Sequence, residues 1–131
     1  MKKSIQLIFV LSALLLTGCG GRGENTYRQI TQEEAAKLMR EQSDYILLDV
    51  RTQAEFAEAH IPGAICIPNE TIGTEVLPEL PDKHQMILVY CRSGNRSKQA
   101  SEKLAKLGYT NVLEFGGINT WTGETVSGGE G

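Results

Sequence analysis

No stretch of this sequence is long and apolar enough to be a typical membrane span. The longest apolar run, Ile5 to Leu16, has twelve residues, whereas a spanning helix needs roughly 20. Basic clusters are also missing. The formal charge is −3 and no run of Lys or Arg is longer than Lys2-Lys3, so the chain lacks the electrostatic footprint of a nucleic-acid binder and has no polybasic membrane patch. Cysteine is scarce, with only Cys19, Cys66 and Cys91. No C-x-x-C pair supports thiol–disulfide exchange between Cys66 and Cys91. No Cys/His cluster has metal-ligand spacing, which disfavours zinc, and no metal or organic cofactor is expected. Internal repeats and long low-complexity segments are absent as well.

What is present begins with a targeting signature. Met1-Lys2-Lys3 is a short basic region, and the run after it has the length of a signal-peptide core, about 7–15 residues. Leu16-Thr17-Gly18-Cys19 resembles the lipobox of bacterial lipoproteins. That resemblance implies a signal peptide over residues 1–18 and a diacylglyceryl group on Cys19. It places the protein on the extracytoplasmic side of a bacterial envelope, held to the membrane by lipid. Two or more acyl chains give stable anchoring. Loss of residues 1–18 removes Lys2 and Lys3 and takes the formal charge from −3 to −5. The Gly-rich residues 19–26 read as a flexible tether, residues 27–126 as one folded domain, and 127–131 as a flexible tail, with fraying expected from Thr122 onward.

Within the domain, strand and helix patterns alternate. Tyr27 to Ile30 is a candidate strand. Thr31 and Glu34 have capping-box spacing, and Ala35, Leu38 and Met39 mark the apolar side of the helix that follows. Tyr45 to Val50 reads as a strand covered on both faces. Thr52 and Glu55 repeat the capping-box spacing before a helix that stops short of Pro62. Ala64 to Ile67 is a third strand, with Cys66 read as a buried core residue. Glu75 to Leu80 is a possible helical turn. Met86 to Tyr90 is a central buried strand, Ser97 to Leu107 a helix closed by Gly108, and Val112 to Phe115 the last strand. The pattern implies an α/β fold, with a mostly parallel five-stranded sheet and helices on both faces.

Sites in such sheets form at the carboxyl ends of the strands. Here the central strand ends in Cys91-Arg92-Ser93-Gly94-Asn95-Arg96-Ser97. A small Gly-containing loop can turn its amides inward. The helix behind it adds unpaired N–H groups and about half a positive charge, and Arg92 and Arg96 add full charges. Each of these favours a thiolate at Cys91 and an anion beside it.

These residues resemble the rhodanese family over roughly Tyr27 to Val126. The resemblance is carried by Leu47-Leu48-Asp49-Val50-Arg51, Glu55-Phe56, His60-Ile61-Pro62-Gly63-Ala64, the Cys91 loop, and Gly116-Gly117-Ile118-Asn119-Thr120-Trp121. It implies a sulfurtransferase with Cys91 as persulfide-forming nucleophile. Arg92 to Ser97 would bind a small sulfur-containing anion such as thiosulfate, and a thiol or cyanide would accept the sulfur. Asp49 and Arg51 would support the loop, His60 would belong to a structural turn, and Trp121 would plug the core. Alternatives are a non-catalytic rhodanese-like binding module and a Cys-based phosphatase. The phosphatase signature has five residues between Cys and Arg, where this chain has four and Tyr90 precedes the Cys.

Overall fold

The computed structural model describes residues 26–73 and 75–129. The expected signal peptide, Cys19 and nearly all of the tether lie outside the described residues. Five strands form one sheet: β1 (Arg28–Gln29), β2 (Tyr45–Asp49), β3 (Ile65–Cys66), β4 (Met86–Cys91) and β5 (Val112–Gly117), in the order β1-β5-β4-β2-β3. Every pairing between them is parallel. The sheet is therefore the expected one, and the family-like α/β arrangement holds.

Three helices cover it: α1 (Gln32–Glu41), α2 (Gln53–Glu58) and α3 (Asn95–Lys106). Side chains alternate across a strand, and the two faces sort accordingly. Leu47, Leu88, Tyr90, Leu113 and Phe115 pack with Ala35 of α1 and Phe56 of α2. Leu48, Ile87, Val89, Cys91 and Val112 pack with Ala100 and Leu104 of α3. Each fully buried Leu or Val contributes about 1.5–3 kcal/mol. This alternation puts the Cys91 side chain on the α3 face.

Both capping boxes form. Thr31 and Glu34 exchange bonds at the start of α1, as do Thr52 and Glu55 at α2. Four readings of the sequence are corrected. The helix after the central strand begins at Asn95, two residues before Ser97, because Gly94 serves as its N-cap. Glu75 to Leu80 forms no helix; a single 3-10 turn lies earlier, over Asn69–Thr71. Trp121 is half-buried at the core's margin, tilted against Phe115 with ring centroids 5.8 Å apart. The segment expected to fray is held as far as Gly128, since Val126 bridges His60 and the Gly128 N–H donates to Ala57 at 2.8 Å.

Tyr90 ties the sheet to the turn at Ile61, whose N–H donates to the Tyr90 hydroxyl at 3.1 Å inside the core. Tyr90→Phe strands that buried N–H and should cost about 1–3 kcal/mol. The midpoint of urea unfolding reads the loss.

Candidate active site

Strand β4 lies between β5 and β2 and carries Cys91 as its last residue. The residue is 1% exposed. Its Sγ accepts the Gly94 N–H at 3.0 Å and lies 3.4 Å from the Ser97 hydroxyl oxygen. Gly94 adopts a left-handed φ of 114°, which turns its amide back toward the sulfur and starts α3. Side chains resist that conformation, and glycine does not. The sulfur therefore sits at the positive end of α3. Of the loop amides, Gly94's is the one that reaches Sγ.

A second glycine sets the wall of the site. A Cβ on Gly117 would lie 2.0 Å from the Arg92 carbonyl oxygen, so β5 meets the loop backbone to backbone. The Asn119 N–H donates to that same carbonyl at 3.1 Å.

Arg92 and Arg96 do not stand free at the rim. Glu55 Oε2 accepts from Arg92 Nε at 2.8 Å and from Arg96 Nη2 at 3.1 Å, while Oε1 accepts from Arg96 Nη1 at 2.8 Å. Oε1 also accepts the Thr52 N–H at 3.0 Å as part of the capping box. One carboxylate thus caps α2 and gathers both guanidinium groups. The Arg96 bonds hold its carboxyl far below the usual carboxylate range, aided by the Thr52 N–H and Arg92. Glu55 in turn raises Arg96.

Behind the sulfur lies a residue that the sequence reading missed. Glu114 of β5 is 2% exposed. Its Oε2 accepts the Ser97 hydroxyl at 2.5 Å and the Gly116 N–H at 2.9 Å. The available signal was a charge inside a parallel strand covered on both faces, at a position alternating with Leu113 and Phe115. Alternation points it to the α3 face, which Cys91 shares.

Asp49 and Arg51 form a buried, two-point ion pair, with Arg51 Nη2 2.7 Å from Asp49 Oδ2 and Nε 3.0 Å from Oδ1. Arg51 Nη2 also donates to the Ala59 carbonyl at 2.6 Å. Among the described residues, neither side chain bonds to the loop. They fix the end of β2 to the residue after α2, and the guanidinium lies 5.8 Å from the Tyr90 ring centroid. His60 is buried, stacked on Phe56 at 3.7 Å, with Nδ1 2.9 Å from the Phe56 carbonyl. A carbonyl only accepts, so Nδ1 carries the proton, as suits a structural turn.

Cys66 departs from expectation. It is only partly buried, because β3 is an edge strand. Burial is still the main reason that its thiol is pushed up to about 11, followed by the Asp49 charge. The structure thus brings Cys91, Gly94 and Ser97 together at the sulfur, with Arg92 and Arg96 at the rim. Ser93 and Asn95 are exposed, and their side chains make no hydrogen bond among the described residues. There is also no group of three His, Cys, Asp or Glu side chains among the described residues placed to hold a metal ion.

Comparison with known proteins identifies the family and the fold. A family profile described as the Rhodanese-like domain matches residues 31–124. The chain is 38% identical over 94 residues to a sulfurtransferase of Allochromatium vinosum, covering 71% of this chain and 86% of that protein. It is 38% identical over 71 residues to the thiosulfate sulfurtransferase PspE of Escherichia coli (strain K12), covering 54% of this chain and 68% of that protein. A solved structure described as a rhodanese with anions from E. coli matches with a TM-score of 0.59 and 34% identity, over 64% of this chain and 99% of that one.

The Glu55 clamp has a pH signature. In the unfolded chain a Glu titrates near about 4.3, and in the folded protein Glu55 titrates lower. Its stabilisation is complete above the unfolded value and is lost as pH falls toward the folded one. Urea unfolding of wild type and Glu55→Gln between about pH 2 and 7 should show their stability gap narrowing on acidification. A gap independent of pH would mean that the ionisation of Glu55 contributes nothing to stability.

Proposed function

The chain belongs to the rhodanese-like family, and on that footing we propose that it is a sulfurtransferase whose Cys91 carries sulfane sulfur as a persulfide. The observation that carries this reading is the Gly94 N–H directed at Cys91 Sγ from the N-cap of α3. A donor aimed at sulfur favours its anionic forms, whether thiolate or persulfide. The thiolate attacks the outer sulfur of a donor such as thiosulfate. The Sγ–S bond forms, the donor's S–S bond breaks, and sulfite departs with the electron pair. A thiol or cyanide then takes the outer sulfur and restores Cys91.

Donor oxyanions would meet Arg92 and Arg96 although Glu55 already holds them. A guanidinium has five N–H donors, and Glu55 occupies one on Arg92 and two on Arg96. Their side chains remain 51% and 31% exposed, so further donors face outward. A solved E. coli rhodanese is described as having anions, in keeping with an anionic donor for this family.

After thiosulfate treatment, the intact mass of the protein should rise by one sulfur atom, mapped to Cys91. Cys91→Ser should neither gain it nor turn over, with loss of activity on the order of 10²-fold or more. Sulfur found on Cys66, or activity kept in Cys91→Ser, would overturn the assignment.

The reading extends to location. We place the domain on the extracytoplasmic face of a bacterial envelope, tethered by lipid on Cys19, on the strength of Leu16-Thr17-Gly18-Cys19. Wild type expressed in a bacterium should fractionate with membranes, and Cys19→Ser should be released or remain unprocessed. Identical fractionation and processing of both would defeat the lipid anchor.

A further inference from the structure

We infer that Cys91, Ser97 and Glu114 form a proton relay, in which Glu114 receives the thiol proton when Cys91 becomes a nucleophile. The inference rests on the sulfurtransferase reading and adds a positioning residue to it. Glu114 does not hydrogen-bond to the sulfur and acts through Ser97.

The Ser97 hydroxyl has one proton to give and lone pairs to receive with. Its oxygen lies 3.4 Å from Cys91 Sγ, 2.5 Å from Glu114 Oε2, 3.0 Å from the Gly94 carbonyl and 3.3 Å from the Gly116 carbonyl. The shortest contact is to the carboxylate, so the hydroxyl proton points there. The thiol can then donate to the oxygen from the other side. The three groups are in line for two short proton shifts.

Charge explains why the shifts are coupled. Glu114 is 2% exposed, and its hydrogen-bond partners are the Ser97 hydroxyl, the Gly116 N–H and, at 3.5 Å, the Gln29 amide. No cation is among them. A thiolate at Cys91 and a carboxylate at Glu114 would be two buried anions competing for one hydroxyl proton, an arrangement that burial penalises heavily. Tyr27 feels the charges of Glu114 and Glu102, and Arg96 feels that of Cys91 but is bound to Glu55. The pocket therefore holds one negative charge and moves it. As the Cys91 S–H bond breaks, the proton passes to Ser97 Oγ, and the hydroxyl proton of Ser97 passes to Glu114 Oε2. With thiosulfate, thiol and carboxylate become persulfide anion and carboxylic acid, and sulfite leaves. Charge and protons balance. Removal of the sulfur returns the proton along the same path.

Infrared difference spectroscopy of the folded protein, loaded with thiosulfate against reduced, tests this directly. A protonated-carboxyl band should appear on loading in wild type and be absent in Glu114→Gln. Ser97→Ala keeps Glu114 but cuts the bridge; it should lose the band and slow sulfur uptake by about 10²-fold. The double variant should be no slower than either single one, as groups acting as a unit are not additive. Sulfur uptake without the band, or a band that survives Glu114→Gln, overturns the relay and leaves the transferase standing. Failure of the folded wild type to take up sulfur at all overturns both.

Discussion

The hydrogen bond from Gly94 to the Cys91 sulfur depends on the meeting of three backbones, and the rest of the site follows from it. Strand β4 ends at the sulfur, a left-handed glycine reverses the chain, and α3 begins at once. The loop cannot relax outward without breaking the Asn119 bond to the Arg92 carbonyl. Nor can it be crowded from β5, because Gly117 has no side chain to press on it. The sulfur's position is thus set by main chain, which has few alternative conformations, and not by long flexible side chains.

Two carboxylates flank this loop with opposite consequences. Glu55 is at the rim, matched against two guanidinium groups, and its charge is neutralised. Glu114 is interior and matched only by neutral donors, which leaves it, in the proposed relay, as the acceptor for the thiol proton. Exposure and partner type separate the roles of two chemically similar side chains. Moving either one to the other's surroundings would remove its role.

Much of this was legible in the chain. Hydrophobic runs over Tyr45–Val50 and Met86–Tyr90, both capping boxes and the Cys91 loop emerge from local patterns, and the structure keeps them. Asp49 and Arg51 were placed by family resemblance; their side chains pair with each other, and Arg51 reaches the Ala59 carbonyl and lies beside the Tyr90 ring rather than bonding to the loop. What could not be read lies in contacts between distant positions. Glu55 reaches residues 37 and 41 positions away, and its local capping role already accounted for it. Glu114 sat inside a strand assigned on its apolar neighbours. Cys66 was assigned to the core by its neighbours Ile65 and Ile67, without knowing that β3 would lie at an edge. The start of α3 was misread because a left-handed glycine as N-cap leaves no Ser, Thr, Asp or Asn signal.

The two outermost strands, β1 and β3, are each two residues long. An unpaired strand edge is a template on which a second chain can add its own backbone, and length determines how firmly it can do so. Edges this short offer only a few free amide and carbonyl groups. Among the described residues, the sheet therefore offers a second copy of the domain little backbone on which to continue it.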